Sequence, residues 1–481
     1  MDRYAVIWTR AGDHPAKLAD MVLTSTELRV TKTDEAIDRA LPGVSLLHDL
    51  AGQAQFSYAR SEGRPLPPQL EILLPPPDHA NPQRRILLAL MDQHRIELRG
   101  LPVAEQHWKM LLFAGRNGIG HLDVFESDDD AQAYYTRTSA AVARPVDASG
   151  LWHAFRRFIA HTANEEEENL VMETVGPTPG IAGFAPKLMT SIAVDDDNQW
   201  NGDLILNGGL PVIAKIEQAN YPGLLALEKL AYDYHDQCGF DVPRTWFKEI
   251  DHHGETIPLL AIERFDRKDG QALPQESFYS LLHTGNWNRY RCNTDGSMES
   301  ISGVFTALNL PAPQKEAWFR RFVMAILTGN GDLHTENMAI SGGQGVHCLS
   351  PVYDPAPMRA YRGRSSHDIL SALPFADIGG VVQETYREYA GSGATPPDLG
   401  DRLVQFGTTI GIAKKRAKDS IADLLLATRD YPEEAIACLE SVPAHLRKSR
   451  APDIDGFRKT LEECRNALAI VKQQPKTSMT P

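Results

Sequence analysis

Asp332 and Asn337 stand five residues apart in Thr328-Gly-Asn-Gly-Asp-Leu-His-Thr-Glu-Asn337, directly after the apolar run Phe319 to Leu327. That separation is the one used in phosphotransferase loops, where an aspartate orients or deprotonates an acceptor hydroxyl and an asparagine five residues on holds a metal ion. Their hard oxygen donors suit magnesium. Asp and Asn also cap helices and shape turns, but Tyr353-Asp354-Pro355 follows seventeen residues after Asn337. Asp354 thus falls where a kinase places its second metal-binding carboxylate, which favours phosphotransfer over the capping reading. His334, between Asp332 and Asn337, orders the loop or joins its chemistry.

Groups suited to a nucleotide lie upstream. In Pro179-Gly-Ile-Ala-Gly-Phe-Ala-Pro-Lys187, Gly180 and Gly183 let backbone N–H groups approach phosphate oxygens, and Lys187 adds a point charge. Lys215 closes the apolar run Val212-Ile-Ala-Lys215, the pattern that pairs phosphates. Glu228, thirteen residues on within the helical stretch Leu224 to His235, is its candidate ion-pair partner. Taken singly, a strand-end lysine in solvent and a surface glutamate are the commoner case. Leu259 to Arg267 runs from an apolar strand into charge, as a hinge between two lobes would.

These groups need elements to hold them. The spacing of apolar residues predicts strands at Tyr4–Trp8, Leu28–Lys32, Phe56–Tyr58, Leu70–Leu74, Leu188–Val194 and Pro211–Ile216. Leu111–Gly115 and His121–Phe125 flank an Asn-Gly turn and predict a hairpin. Helices are predicted over Pro82–Asp92, Leu151–Leu170 with an acidic face at Glu165 to Glu168, Ala317–Leu327, Asp401–Ala427, Pro432–Leu446 and Asp455–Lys472. The acidic run Asp128–Asp130 marks the end of a first domain. The expected fold is α+β: a β-rich N-terminal domain over 1–127, then a two-lobed unit of 128–270 and 271–472 with a ligand cleft between the lobes, and a disordered tail over 473–481.

The 481 residues exceed the roughly 150 of an average domain threefold. With 42% hydrophobic and 23% charged residues, the composition is that of a globular protein and excludes collagen-like, coiled-coil and wholly disordered chains. Lys and Arg number 49 against 63 Asp and Glu, a net charge of −14 that disfavours bulk attraction to nucleic acid or anionic membrane. No apolar run approaches the ~20 residues that span a bilayer, and the N-terminus does not read as a signal peptide. Five scattered cysteines give neither a disulfide framework nor a zinc site. A cytoplasmic location is expected. His252-His253 reads as a polar turn, and Arg359, Arg362 and Arg364 read as a solvated loop or a site for an acidic or phosphorylated surface.

The motifs resemble the HipA family of serine/threonine kinases, toxin components of bacterial type II toxin–antitoxin pairs. Gly329, Asn330, Asp332, His334 and Asn337 match its G-N-x-D-x-H-x-x-N loop, and Pro351, Tyr353 and Asp354 its P-x-Y-D segment. Glu263 to Arg267 match E-R-F-D-R in full. Ala182, Gly183 and Lys187 match the phosphate loop, and Pro274-Gln-Glu276 resembles P-Q-E. Glu228 keeps one half of an N-E signature that has Leu227 in place of asparagine; Gly239, Val242 and Pro243 fit the G-x-x-V-P beyond it. Gly115-Arg-Asn-Gly-Ile-Gly120 resembles G-R-D-x-x-G, so the likeness spans about residues 50 to 380.

The resemblance implies ATP and Mg²⁺ as cofactors, Asp332 as the catalytic aspartate with His334, Lys215 and Glu228 beside it, and Asn337 and Asp354 as magnesium ligands. Nucleotide contacts would come from Gly180, Ile181, Ala182, Gly183, Lys187, Lys215, Glu263, Phe265, Asp266 and Gln275, with Glu263 and Phe265 bonding adenine through their backbones. A serine whose autophosphorylation silences some members is replaced here by Gly180, with Thr178 the nearest hydroxyl. The implied partners are a protein substrate such as an aminoacyl-tRNA synthetase and a helix-turn-helix antitoxin, with DNA reached only through the antitoxin; a homodimer within that complex is left open. Two other readings stand beside it: a kinase-shaped co-repressor with dispensable catalysis, and phosphotransfer to a small molecule.

Overall fold

The computed structural model describes residues 2–46, 55–60, 65–76, 81–176, 186–282, 298–343, 346–361, 369–373, 375, 394–443 and 452–469. Two compact units emerge, each assembled from separate stretches of chain: Met1–Gln218 with Pro243–Arg289 and Ala339–Ser350, and Ala219–Val242 with Tyr290–Met338 and Pro351–Pro481.

The first unit opens with an antiparallel sheet of β1 (Arg3–Thr9), β2 (Ala16–Leu23), β3 (Glu27–Lys32), β4 (Gln55–Ala59) and β5 (Leu122–Phe125), in the order β4-β3-β2-β1-β5. The two-residue period of β1 sends Ala5 and Ile7 to one core and Val6 to another. The first core takes in Leu87, Met91, Trp108 and Leu111, from helices α3 (Pro82–Gln93) and α4 (Val103–Ala114). Short helices α1 (Asp34–Asp38) and α2 (Pro68–Glu71) border it. The second core pairs Val6 and Phe125 with Ala131, Tyr134 and Tyr135 of α5 (Asp128–Ala140). Helices therefore cover both faces.

Further along, β6 (Arg144–Val146) pairs with β8 (Leu204–Leu206). A second sheet runs β10-β11-β9-β7, from β7 (Lys187–Ile192), β9 (Leu210–Ile216), β10 (Thr245–His252) and β11 (Glu255–Glu263). Its inner residues Leu188, Val212, Ala214, Leu259 and Ala261 pack on Trp152 and Phe155 of α6 (Ser149–Ile159) and Val171 of α7 (Glu165–Val175). A two-stranded ribbon, β12 (Arg267–Lys268) with β13 (Gln271–Ala272), precedes β14 (Gln275–Ser277), which joins β15 (Ala339–Gly343) and β16 (Val346–Leu349). Helix α9 (Phe278–Leu281) follows β14.

The second unit is helical: α8 (Leu224–Gln237), α10 (Met298–Ala307), α11 (Ala312–Thr328), α12 (Leu399–Thr409), α13 (Lys414–Ala427), α14 (Tyr431–Ser441) and α15 (Ile454–Ala469). Buried Trp318 and Phe322 of α11 meet Phe406 of α12 edge-on, with ring centroids 5.3 and 5.5 Å apart, and Trp318 also meets Phe305 of α10.

The α+β class holds, with several local differences. Leu70–Leu74 does not form a strand: Pro68 starts α2, where its fixed φ suits a first helical turn. The Asn-Gly hairpin is absent because Leu111–Ala114 form the last turn of α4, whose buried His107, Trp108, Met110, Leu111 and Ala114 recur at helical spacing. Only the second half, β5, is extended, and it pairs with β1. Leu151–Leu170 divides into α6 and α7, since Asn164 and Glu167 form a reciprocal capping box that starts a new helix. Asp401–Ala427 divides at Gly411, whose φ of 94° ends the helical path. Asp128–Asp130 is the first turn of α5, capped by Ser127, and Asp128 accepts from Trp8 Nε1 and Lys17. Strand β2 carries no marked pattern in sequence and is found only by its partners on either side.

Candidate functional site

The expected catalytic loop follows α11, which ends at Gly329 in a left-handed cap with φ 76°. A Cβ there would come within 2.6 Å of the Phe457 ring, so both conformation and space call for glycine. Beyond the cap the loop is tied by its own groups. Asn330 Oδ1 accepts from the Asp332 N–H at 2.9 Å. The Asp332 carbonyl accepts from the His334 N–H and from Asn337 Nδ2, both at 2.8 Å. That bond orients the Asn337 amide and turns its oxygen to the opposite side. His334 Nδ1 accepts from the Glu336 N–H at 3.1 Å, so a neutral ring carries its proton on Nε2, which faces Asp332 Oδ1 at 3.7 Å. His334 thereby orders the loop. Asp332, His334 and Asn337 are all buried.

Asp354 belongs to the same unit. Its backbone adopts φ 54°, a left-handed conformation that non-glycine residues seldom take. The segment leading to it is held at three points. Val352 N–H donates to Asp241 O at 2.8 Å, Tyr353 Oη donates to Glu336 O at 2.7 Å, and Asp354 N–H donates to Tyr232 Oη at 3.0 Å. Tyr232 lies one helical turn after Glu228 on α8, and both are buried. Burial, with the carboxylates of Glu228 and Asp354 nearby, pushes the Tyr232 phenol well above its usual range, so it stays neutral. Arg321 is buried behind this segment; burial lowers it to about 10, opposed by Tyr353 and Asp241.

In the first unit, Lys187 and Lys215 are paired across β7 and β9, both nearly inaccessible. Lys215 sits opposite Leu260 on its other side. Glu263, at the end of β11, forms a two-pronged ion pair with Arg244, both contacts 2.8 Å. This hydrogen bonding holds its carboxyl below the ordinary value. The Glu263 N–H donates to Arg244 O.

Asp266 does not offer its side chain to a ligand. One oxygen accepts from Arg264 Nε at 3.0 Å. The other accepts from Arg264 at 2.8 Å, Arg267 at 2.7 Å and the Gly120 N–H at 2.9 Å. Burial raises this carboxyl, but the two arginines outweigh it and the net shift is downward. The arginines also donate to the Gly118 carbonyl, both near 2.8 Å or shorter. The Gly115–Gly120 motif is thus the partner of the Glu263–Arg267 motif. Gly120, at φ 83°, lies so close to β14 that a Cβ would sit 3.1 Å from Gln275 O.

Gln275 Oε1 is buried without a hydrogen-bond partner among the described residues. Its neighbour Glu276 accepts from Ser45 Oγ, the Leu46 N–H, Gln69 Nε2 and Ser280 Oγ. Burial nevertheless raises the Glu276 carboxyl.

Gly180, Ile181, Ala182 and Gly183 lie outside the described residues, as do Thr178, Arg362 and Arg364. Arg359 is buried, its Nη1 3.4 Å from Cys464 Sγ, and so is no surface docking group. His252 ends β10, and His253 turns with φ 50°. Tyr232 and Arg321 had no motif to reveal them; a tyrosine four residues after a candidate glutamate is the only trace.

The oxygen donors Asp332, Asn337 and Asp354 suit a magnesium ion, and the orphaned Gln275 oxygen suits the polar edge of a base. Among the described residues no three His, Cys, Asp or Glu side chains form a cage of their own; magnesium characteristically completes its shell with phosphate oxygens and water. Among the described residues no helix is long and apolar enough to cross a membrane.

Comparisons with known proteins bear on the family and the fold. A Haemophilus influenzae protein named "Putative kinase" is 29% identical over 253 residues, covering 49% of this chain and 68% of its own. A Sinorhizobium fredii protein named "Putative kinase Y4dM" is 27% identical over 154 residues, 30% of this chain and 36% of its own. The fold matches that of Shewanella oneidensis MR-1 HipA, solved with HipB and its operator DNA, at a TM-score of 0.60 and 16% identity, over 97% of this chain and 98% of that one. The family model for the HipA-like C-terminal domain matches residues 180–430. With more than half of its length so matched, the chain belongs to the HipA-like C-terminal domain family.

Proposed function

We propose that this chain is an ATP- and Mg²⁺-dependent serine/threonine protein kinase that acts as a toxin, inhibiting translation by phosphorylating an aminoacyl-tRNA synthetase or a similar protein. The observation that carries the reading is the loop built on Asp332, in which the Asn330 and Asn337 side chains bond the Asp332 backbone and His334 Nδ1 accepts from the Glu336 N–H, rather than capping a helix. Family membership and two relatives named as kinases support it.

On this reading Asp332 accepts or orients the acceptor hydroxyl proton, and His334 and Glu228 shape its surroundings. Asn337 and Asp354 hold magnesium, which supplies charge neutralisation at the phosphates. Lys187 and Lys215 add positive charge for phosphate oxygens, and the Gly180–Gly183 segment adds backbone N–H groups. Gln275 and the backbone of Glu263 and Phe265 read the adenine. Segments 1–127, 128–270 and 271–472 serve as the N-terminal domain and the two kinase lobes.

A small helix-turn-helix antitoxin is the proposed partner, and DNA is engaged through it alone, which suits a charge of −14. The protein acts in the cytoplasm. Gly180 stands where the loop serine would align and carries no hydroxyl to phosphorylate, which argues against self-silencing by that route.

The test is transfer from γ-labelled ATP, with magnesium and host lysate, beside an Asp332→Asn control. A labelled band lost in the control supports the kinase; ATP binding without any transfer overturns it in favour of a catalytically silent co-repressor.

A further inference from the structure

We propose that Tyr232 is a positioning residue for the divalent cation, acting through the backbone of Asp354. The inference rests on the kinase reading of Asp354 as a metal ligand. Asp354 sits at φ 54°, a conformation an L-residue keeps only when its surroundings fix it. The Tyr232 hydroxyl accepts the Asp354 N–H at 3.0 Å. Two further ties, Val352 N–H to Asp241 O and Tyr353 Oη to Glu336 O, hold the residues before Asp354 but not its own amide. The Tyr232 bond therefore sets the direction in which the Asp354 side chain leaves the backbone.

The bond also fixes what Asp354 is coupled to. Tyr232 and Glu228 share α8, separated by one turn, so they lie on one face of that helix. Any shift of α8 moves the acceptor that holds Asp354. Helix position and cation affinity are thereby linked, although Tyr232 touches neither nucleotide nor metal. Phenylalanine at 232 would keep the buried ring and remove the hydroxyl, leaving the part-buried Asp354 N–H without this acceptor.

The experiment measures Mn²⁺ binding by electron paramagnetic resonance in the presence of a non-hydrolysable ATP analogue, for the wild type, Tyr232→Phe and Asp354→Asn. Tyr232→Phe is expected to weaken Mn²⁺ roughly fivefold, the scale of one hydrogen bond, with little change in analogue affinity. The Mg²⁺ concentration for half-maximal transfer should rise by a similar factor. Unchanged Mn²⁺ affinity in Tyr232→Phe, with binding lost in Asp354→Asn, overturns the proposal and spares the kinase reading. Unchanged affinity in both variants removes Asp354 from the metal site and takes the proposal with it. Where Tyr232→Phe does not fold, 4-aminophenylalanine at 232 replaces it: its weaker acceptor should give intermediate affinity, and wild-type affinity overturns the proposal.

Discussion

Asp266 and Asp332 are both buried aspartates inside matched motifs, yet their surroundings differ in kind. Asp266 is enclosed by charge, with Arg264 and Arg267 and the Gly120 N–H all donating to its side-chain oxygens. Around Asp332 the structuring bonds run through its backbone: Asn330 holds its N–H, and His334 and Asn337 hold its carbonyl. The first arrangement commits a carboxylate to joining two segments 146 positions apart in sequence. The second fixes a loop through the Asp332 backbone, with the His334 ring facing the carboxylate at 3.7 Å. A motif match alone does not distinguish a fold joint from chemistry; the bonding pattern does.

The largest effect that would break this comparison is on activity. Asp332→Asn should lower phosphotransfer roughly 10³-fold, within the range for losing a proton-handling group, with little change in melting temperature. A variant that keeps its rate, or that fails to fold, would put Asp332 in the same class as Asp266.

Asp266→Ala should instead destabilise the first unit by about 3–5 kcal/mol, the scale for stranding buried arginines. Urea unfolding would read it, and a shift below about 1 kcal/mol would show that Arg264 finds other partners.

Buried neutral histidines extend the contrast to pH. Burial lowers His121, whose Nε2 lies 3.2 Å from Gly43 O, to about 4 from 6.5, and lowers His235 to the same value. Each folded value is below the unfolded one. Their stabilisation is therefore complete above about pH 6.5 and is lost as pH falls toward 4, because the unfolded chain takes up the protons first. The loss is about 2–3 kcal/mol per histidine near pH 4.5. His121→Gln should flatten the pH dependence of the urea midpoint between pH 7 and 4.5; an unchanged slope would show that His121 does not titrate differently on folding.

The smallest effect lies one strand end away from Asp266. The Arg244–Glu263 pair matches the Asp266 contacts in length but its Arg244 side chain is 52% exposed. Arg244→Ala should cost under about 1 kcal/mol by the same unfolding measurement. A cost approaching that of Asp266→Ala would mean that geometry, rather than exclusion of water, sets the strength of these pairs.

Much of the fold could be read from residue patterns where one local rule dominates. Pro82 at the start of α3 and the alternating burial of β3 are of this kind. Reading failed where two rules compete. Leu70–Leu74 has the composition of a strand, but Pro68 starts a helix and the core accepts its leucines from either conformation. Leu111 to Phe125 carries a genuine turn at Asn117, yet the apolar residues before it serve α4. Strand β2 was missed because its identity depends on β1 and β3 beside it.

Within the candidate site, residue type and spacing singled out Asp332, Asn337 and Asp354 as candidates, since a loop between a buried helix and a turn keeps its groups local in sequence. The sequence by itself also determined the family likeness and the α+β class. Only the tertiary structure decided that Asp266 is a joint, that Arg359 is buried, and that Tyr232 holds the Asp354 amide. Each of those depends on a partner remote along the chain: Gly120, Cys464 and Asp354 respectively. Hydrogen bonds and burial are properties of atoms brought within about 3 Å, and no local pattern records which distant atoms those are.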